Sequence, residues 1–468
     1  MFKGKSRKPV RTLVIAGAAV VLAAIALVAP GGPARASTLL GPAMTVAGGN
    51  SVIAVQTNSD GLRFYWNEHG TNNWHGEQVA ADGTTFSAPA IAVVGNDVVI
   101  AAQGPFDSLD VYWQPIDASG WNSKLVADVL TTYSQPAIQA DGTSAIIAAE
   151  GASNSLDFYW TPSLTTNWTP ETVAGPGTTY SAPAEIVNDN SVNIAAEGPS
   201  NSLDFYWAVN GTATWGPEVV AGAGAGIKTA PAMISTNGTV QIFASDLFAD
   251  YGFGTVLSYS ALNGTANWIP QEVPVGALNA PAVVAYPYVP GSLGGVHLVS
   301  NAFAGYMVVM TEADGSFDWQ GDSSMCPPAG LAGTGCSVGN PSAVMNGGLL
   351  NIASEDGNGN LIFFWQDSSG NFHEETVDTA SNLNLPPPEP GRRSPAGPGS
   401  HGLRPRARRG AGLQVARVPR RSASRLRAEI SVSGWSWPRT RSRRSRVSRS
   451  RSRAAVSSPS SRRSAARL

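Results

Sequence analysis

The sequence predicts an all-β fold, a seven-bladed β-propeller of four-stranded blades. Three observations predict it. Seven copies of one pattern follow each other between residues 41 and 378. Each copy divides into four short strand-like segments separated by turn residues, and the region shows no apolar period of about 3.6 residues. Four-stranded units repeated in this way form a propeller, because radial repetition protects the edges of the small sheets.

A proline among small residues begins each copy, and consecutive prolines lie 47 to 60 residues apart. These prolines are Pro42, Pro89, Pro136, Pro183, Pro231, Pro281 and Pro341. An aromatic segment follows, then a second aromatic with an acidic residue three or four places later, except for Lys124.

The copy around Pro183 illustrates the predicted strands, 181–187, 191–198, 202–207 and 216–222, with Asn-, Gly- and Pro-rich turns between them. Alternation within a strand places Leu203, Phe205 and Trp207 on one face, packed against the next blade, and Asp204 and Tyr206 on the other. The sequence does not fix which strand is innermost.

The formal charge of −2 is the sum over three segments of very different charge. Residues 1–36 contain six basic residues and no acidic ones, and residues 37–390 contain three basic and 32 acidic residues. Residues 391–468 contain 22 arginines and a single acid. Because binding to phosphates requires many cations, we expect no nucleic-acid partner for the propeller, residues 37–380.

The amino terminus predicts a signal peptide over residues 1–36. A basic leader precedes an apolar run over residues 12–29, and Ala34-Arg35-Ala36 forms a small-x-small cleavage site. We therefore expect a secreted, extracellular protein without a membrane segment after cleavage. An uncleaved membrane anchor is the alternative, because the run is near the lower limit for a spanning helix. Export also favours a disulfide between Cys326 and Cys336.

The composition changes abruptly after a Pro-rich linker, residues 381–390. Residues 391–468 are rich in Arg and Ser and have too few apolar residues to fold alone, which predicts a disordered tail. Two interpretations remain open. The tail is a basic segment that adheres to anionic polymers, or it is an out-of-frame translation of a GC-rich gene that has replaced another domain.

The copy that begins Ser87-Ala88-Pro89-Ala90 continues with Asp-Val-Tyr-Trp at 110–113 and Gly-Trp at 120–121. This pattern resembles the seven-bladed propeller lectins of the bacterial fucose-binding, PLL-like type, over residues 41–378. The resemblance implies sugar pockets repeated between blades and affinity through multivalency. Copies two to four preserve the pattern best.

The residue types also suit sugars, because C–H faces stack on aromatic rings and amide or carboxylate groups orient hydroxyls. The candidate ligand-binding residues are Tyr112, Trp113, Tyr159, Trp160, Tyr206, Trp207, Gln103, Glu150 and Glu197, with Asp110, Asp157 and Asp204 beside them. We expect the tyrosines to be the accessible members. The alternative for the tryptophans is inter-blade core, and for the acids it is hydrogen bonding to turns.

No catalytic constellation is apparent. A sialidase needs an arginine cluster, whereas the propeller has only Arg63. A glycosidase needs two carboxylates at a defined separation. Most acids of the propeller recur at the same position of each copy, whereas a catalytic pair is expected to be unrepeated. His75 is interpreted as an exposed loop histidine, and the segment from Asp356 to Asn360 as a turn.

The prediction is a non-catalytic, multivalent module that binds cell-surface or extracellular glycans, without cofactor or metal. Two alternatives remain: the targeting propeller of a secreted hydrolase whose catalytic domain is absent or undetected, and a protein-interaction scaffold. The sequence makes no prediction about the oligomeric state.

Overall fold

The structure is a computed structural model, and it describes residues 41–67, 73–246, 254–286, 294–302, 306–313, 318–324 and 339–379. The predicted signal peptide, linker, tail and disulfide lie outside the described residues. Within these ranges, 28 strands form seven four-stranded sheets, and the helical elements are two short 3-10 turns, Pro105–Asp107 and Pro199–Asn201. No helix in the described ranges has the length and apolar character needed to span a bilayer.

Each blade consists of four strands that follow one another in the sequence and pair antiparallel with their sequence neighbours. The strands of blades 1 to 4 are β1 Ala43–Ala47, β2 Asn50–Gln56, β3 Leu62–Asn67, β4 Trp74–Ala80; β5 Ala90–Val94, β6 Asp97–Gln103, β7 Leu109–Pro115, β8 Asn122–Ala127; β9 Ala137–Asp141, β10 Ser144–Glu150, β11 Leu156–Thr161, β12 Thr169–Ala174; and β13 Ala184–Asn188, β14 Ser191–Glu197, β15 Leu203–Val209, β16 Gly216–Ala221. The strands of blades 5 to 7 are β17 Ala232–Thr236, β18 Thr239–Ser245, β19 Gly254–Leu262, β20 Ile269–Ala277; β21 Ala282–Tyr286, β22 Gly295–Ala302, β23 Tyr306–Ala313, β24 Trp319–Ser324; and β25 Ser342–Asn346, β26 Leu349–Glu355, β27 Leu361–Gln366, β28 Phe372–Asp378.

The first strand of each blade is the innermost. The first strands contact one another in the order β1, β5, β9, β13, β17, β21 and β25, and β25 contacts β1. At this closure the Met44 amide donates to Ser342 Oγ at 3.0 Å, and Asn351 Nδ2 donates to Ser51 Oγ at 2.7 Å. The seven-bladed prediction is confirmed, and the ring closes between two complete blades.

The hydrophobic core consists of seven clusters, one between each pair of neighbouring blades. In the blade 3–4 cluster, Ile146 and Phe158 meet Ile194 and Tyr206. Phe205, on the opposite face of blade 4, joins the cluster with blade 5. Both faces of each sheet are therefore buried, which explains why the second strands are apolar without alternation.

One residue in this core departs from the repeat. At the position of Glu185 on β13, the other blades carry apolar residues, namely Met44, Ile91, Ile138, Met233, Val283 and Ala343. Glu185 is only 4% exposed, and neither carboxyl oxygen has a hydrogen-bond partner of good geometry, although the Ala148 backbone lies close to the carboxyl. Burial raises the pKa of Glu185 well above its ordinary value of 4.5, and the nearby Ala148 backbone offsets this only in part.

We predict that Glu185→Ile stabilises the protein near neutral pH. A raised folded-state pKa means that the folded chain retains a proton that the unfolded chain releases, so wild-type stability falls as pH rises above 4.5. The substitution removes the unpaired carboxyl, and the free energy of unfolding rises by about 1–3 kcal/mol at about pH 7.5 and by less at about pH 4.5. Denaturant unfolding of the full chain at both pH values measures this difference.

Ile138→Val, at the equivalent position of blade 3, is the control and keeps the wild-type dependence on pH. An unchanged pH slope in Glu185→Ile, or a loss of stability at neutral pH, contradicts the prediction.

Candidate functional site

Three successive blades carry the same aspartate, tyrosine and threonine at one position between blades. In blade 2, Asp110 and Tyr112 lie two residues apart on β7 and so share the face toward blade 1. The Tyr112 hydroxyl shares a hydrogen bond with Thr84, which belongs to the connection between β4 and β5. Blades 3 and 4 repeat this set as Asp157, Tyr159 and Thr131, and as Asp204, Tyr206 and Thr178. We call these three places the Asp–Tyr–Thr clefts.

A glycine at the start of each β2–β3-type loop admits the aspartate. A Cβ atom on Gly151 would lie 1.9 Å from Asp157 Oδ2, and the corresponding distance is 2.0 Å for Gly104 to Asp110 and for Gly198 to Asp204. No side chain fits there. Blade 1, which has Thr57 at this position, has Arg63 instead of the aspartate. Glycine and aspartate therefore occur together as one structural unit.

The cleft of blade 2 is open, has a volume of about 190 Å³, and is lined by Asp110, Tyr112, Ser123, Lys124 and Leu125. Burial raises the pKa of Asp110 to about 6, against a smaller lowering by the Ser108 hydrogen bond. The ionised carboxylate accepts hydrogen bonds, and the carboxyl donates one only when it is protonated. Burial raises the pKa of Tyr112 to about 12, so its hydroxyl keeps its proton at neutral pH.

The same directions hold in the other two clefts. Burial raises the pKa of Asp157 and of Asp204 above the ordinary value, while hydrogen bonds from Ser155 and Thr172, and from Ser202, act in the opposite direction. Each cleft thus presents one half-buried carboxyl and two hydroxyls.

The expectation that the tyrosines are the accessible members is wrong. Tyr112, Tyr159 and Tyr206 are buried, because their rings complete the clusters between blades. Both faces of a blade are covered in a propeller, so alternation identifies the face of a side chain but not its exposure. The hydroxyl group is the part of each tyrosine that takes part in the cleft.

The predicted ligands Gln103, Glu150 and Glu197 end the second strands and hold the loop that follows. Gln103 Nε2 donates to Asp107 Oδ1 at 2.5 Å and to the Thr132 carbonyl at 2.8 Å. In blades 3 and 4 the strand residue is the acceptor instead of the donor. Glu150 Oε1 accepts from Asn154 Nδ2 and Glu197 Oε1 accepts from Asn201 Nδ2, each at 2.7 Å. These contacts fit the turn-bonding alternative. Burial raises the pKa of Glu197 to about 7.

The tryptophans of the third strands lie on the face opposite the Asp–Tyr–Thr clefts, where a glutamate joins two blades. Glu171 Oε1 accepts from Trp160 Nε1 of the same blade at 2.9 Å, and Glu171 Oε2 accepts from Trp215 Nε1 of the next blade at 3.2 Å. We call this arrangement the tryptophan clamp. It recurs at Glu218, with Trp207 and Trp268, and at Glu375, with Trp365 and Trp74 across the ring closure.

Blade 1 has half of this arrangement, because Glu77 Oε1 accepts from Trp121 Nε1 of the next blade at 2.8 Å and from Gln114 Nε2 at 2.9 Å. Blades 2 and 5 lack the clamp glutamate. Blade 2 has Lys124 at the glutamate position, and the indole N–H of Trp168 in the next blade is buried without a hydrogen-bond partner. In blade 5 the strand register places Gln271 at this position, so Glu272, the acid four residues after Trp268, is one residue out of place. The Trp319 indole N–H, in blade 6, is likewise buried without a partner.

The tryptophans differ in exposure. Trp207 is 40% exposed and its ring lies against Gly216, whereas Trp113 and Trp160 are half-buried. The predicted ligand set therefore separates into three places: tyrosine and aspartate in the clefts, tryptophan in or near the clamps, and Gln103, Glu150 and Glu197 in the loops.

Sequence reasoning missed the threonines. Their signal was available as a repeated Thr-Thr-aromatic tripeptide at 84–86, 131–133 and 178–180.

His75 is not a loop residue. It lies on β4 and stacks on Trp66, with ring centroids 5.5 Å apart, and His373 stacks on Trp365 in the same way at 4.3 Å in blade 7. The interpretation of residues 356–360 as a turn is confirmed, because Asp356 Oδ1 accepts from the backbone amides of Asn358 and Asn360, each at 2.8 Å.

Comparison with known proteins shows a shared fold. No protein-family model and no curated protein matches the chain. The BP39L lectin from Burkholderia pseudomallei is similar over 73% of this chain and 99% of its own, with a TM-score of 0.62 and 18% identity. The chain therefore has the propeller fold of a known lectin, as the sequence resemblance implies.

Two other solved structures are more distant. A fucose-specific lectin from Aleuria aurantia covers 61% of this chain and 94% of its own, with 13% identity and a TM-score of 0.42. The NanB sialidase from Streptococcus pneumoniae covers 74% and 68%, with 8% identity and a TM-score of 0.42.

We predict that the tryptophan clamp stabilises the ring. Glu171→Ala leaves two indole N–H groups without their charged acceptor, and we expect the free energy of unfolding to fall by about 2–4 kcal/mol. Lys124→Ala, at the same position of a blade without a clamp, is the control and changes stability by less than about 1 kcal/mol. Thermal and denaturant unfolding of the full chain measure both effects.

The reverse substitution tests the same interaction. Lys124→Glu provides an acceptor for Trp168, and we expect a gain of about 1 kcal/mol. Equal stability of Glu171→Ala and Lys124→Ala would show that the clamp is dispensable.

Proposed function

We propose that the protein is a secreted, non-catalytic lectin that binds neutral glycans at cell surfaces or in the extracellular space. The observation that carries this proposal is the Asp–Tyr–Thr cleft, repeated in three successive blades. The propeller fold shared with a lectin supports it. The predicted signal peptide supports secretion.

The chemistry of the clefts suits a sugar ring. Neighbouring sugar hydroxyls need both donors and acceptors at short range, and a carboxyl beside two hydroxyls provides them. Phe86, Tyr133 and Tyr180 follow two residues after the cleft threonines on the same connections, and Phe86 and Tyr180 are exposed. Their rings offer a face for stacking of sugar C–H groups.

Charge favours neutral over acidic sugars. Lys124 contributes to the lining of the blade 2 cleft, but it pairs with Val111 and its side chain lies on the opposite face. Its Nζ donates to the carbonyls of Thr165 and Thr166 in blade 3. The aspartate, tyrosine and threonine of each described cleft include no cation to balance the carboxylate charge. The carboxylate would therefore repel the negative charge of an acidic sugar.

Repetition on a rigid ring compensates for weak single sites. A small open cleft with a few polar groups gives modest affinity. Three such clefts, held in successive blades, engage a glycan-coated surface together, and the avidity exceeds the affinity of one site by a factor on the order of 10²–10⁴ when the geometry permits simultaneous binding.

We predict that the full chain binds neutral glycans on an array and that Asp110→Ala/Asp157→Ala/Asp204→Ala abolishes this binding. A single Asp157→Ala substitution weakens it by about tenfold, because one charged hydrogen bond is lost at one site. Asp97→Ala, at the start of β6 and so at the other end of blade 2, is the matched control and leaves binding unchanged. Unfolding curves of all variants show that they remain folded.

Several outcomes contradict the proposal. Failure of the full chain to bind any glycan rules out a lectin. Binding that survives the triple substitution places the sites elsewhere, for example at Trp207. Turnover of glycoside substrates by the full chain would instead support the hydrolase alternative.

A further inference from the structure

Blade 2 departs from the repeat at two adjacent loop positions. Phe106, in the loop between β6 and β7, stands where blades 1, 3 and 4 have a serine, namely Ser59, Ser153 and Ser200. Leu130, in the connection between β8 and β9, stands where the equivalent connections have a glycine, namely Gly83, Gly177 and Gly224. The Leu130 amide donates to the Phe106 carbonyl at 2.9 Å, so the two residues are neighbours.

Neither residue is favoured by its backbone conformation. Phe106 has a φ of 57° and Leu130 a φ of 63°, both in the left-handed region, which bulky side chains rarely adopt. Glycine at the Leu130 position of other blades has no such restriction.

Neither residue contributes to the core. Phe106 is 79% exposed and Leu130 is 59% exposed, and Val129 beside them is 50% exposed. Folding therefore gains little from these three side chains. An exposed apolar patch of this kind, on a backbone that disfavours it, is typical of a binding surface. We call these three residues the apolar patch.

The apolar patch borders the cleft of blade 3. Leu130 directly precedes Thr131, whose hydroxyl shares the hydrogen bond with Tyr159. The amides of Thr131 and Thr132 both donate to the Asp107 carbonyl at 2.9 Å, which holds the connection against the loop that carries Phe106. The clefts of blades 2 and 4 have serine and glycine at the positions where this cleft has phenylalanine and leucine.

We propose that the blade 3 cleft selects glycosides with an apolar aglycone, an aryl or alkyl group. The sugar binds at Asp157, Tyr159 and Thr131, and the aglycone covers the apolar patch. This inference rests on the proposed function, because it needs a sugar in the cleft. Continuity with the cleft favours this occupant over a second copy of the chain, since two propellers with an excess of 29 acidic residues over residues 37–390 repel each other.

Paired glycosides test the proposal. Methyl and p-nitrophenyl glycosides of the same neutral sugars, with fucose, mannose and galactose as the series, are titrated into the full chain by calorimetry. We expect the p-nitrophenyl member of a bound pair to bind about tenfold more tightly, because its ring loses contact with water against Phe106 and Leu130.

The variant Phe106→Ser/Leu130→Gly restores the residues of the other blades. We expect it to bind the methyl glycoside as wild type does, to lose the tenfold preference, and to unfold at a temperature no lower than wild type, because glycine at position 130 adopts the left-handed conformation without strain and serine already adopts it at positions 153 and 200. Leu262→Ser, which removes an exposed leucine in blade 5, is the matched control and keeps the preference.

The outcomes separate this inference from the proposed function. Equal affinity for both members of every bound pair, or a preference that persists in the double variant, overturns the apolar subsite while the lectin proposal stands. Absence of binding to every glycoside, methyl and p-nitrophenyl alike, overturns both.

Discussion

The structure depends on the burial of apolar surface between neighbouring blades. A four-stranded sheet has no core of its own, so each blade is stable only when both of its faces are covered. The seven inter-blade clusters meet this requirement, and the ring closure lets blade 7 cover blade 1. Most aromatic residues of the repeat pack in these inter-blade clusters. Tyr159 illustrates the result, because its ring is core while its hydroxyl belongs to the cleft.

Much of the fold follows from the sequence because a propeller repeats local patterns. The proline spacing and the turn residues predict the blade number and the strands, and these predictions are confirmed. The site is less accessible to such reasoning, because it is assembled from separate segments. Thr131 reaches Tyr159 across a blade boundary, and no local pattern reveals that contact. The alternation of side chains along a strand also does not show which face is more exposed when neighbouring blades bury both faces. The need for Gly151 beside Asp157, in contrast, is visible in the sequence as a pair that occurs together.

Departures from the repeat separate into two physical kinds. Glu185 replaces an apolar residue in a closed interface, where a carboxyl without partners reduces stability as pH rises. Lys124 replaces a clamp glutamate and leaves a neighbouring indole N–H without an acceptor. Phe106 and Leu130 are different, since they place apolar groups in solvent and improve no internal contact. Exposed apolar residues in a left-handed backbone conformation, such as Phe106 and Leu130, do not improve the packing of the protein. Binding of a ligand explains them better than packing does.

The arrangement in blade 1 shows why the clefts do not extend to blade 1. There Arg63 replaces the aspartate, and the Tyr65 hydroxyl donates to Asp378 Oδ2 of blade 7 at 2.7 Å, while Arg63 Nη1 lies 3.9 Å from the same oxygen. These side chains satisfy one another across the junction between the last blade and the first. Groups that hold the ring closed are not available to sugar hydroxyls, so blade 1 stabilises closure at the position where blades 2, 3 and 4 have a cleft. The three clefts, in the successive blades 2, 3 and 4, occupy one arc of the ring, and under the proposed function a glycan-coated surface meets the propeller from that side.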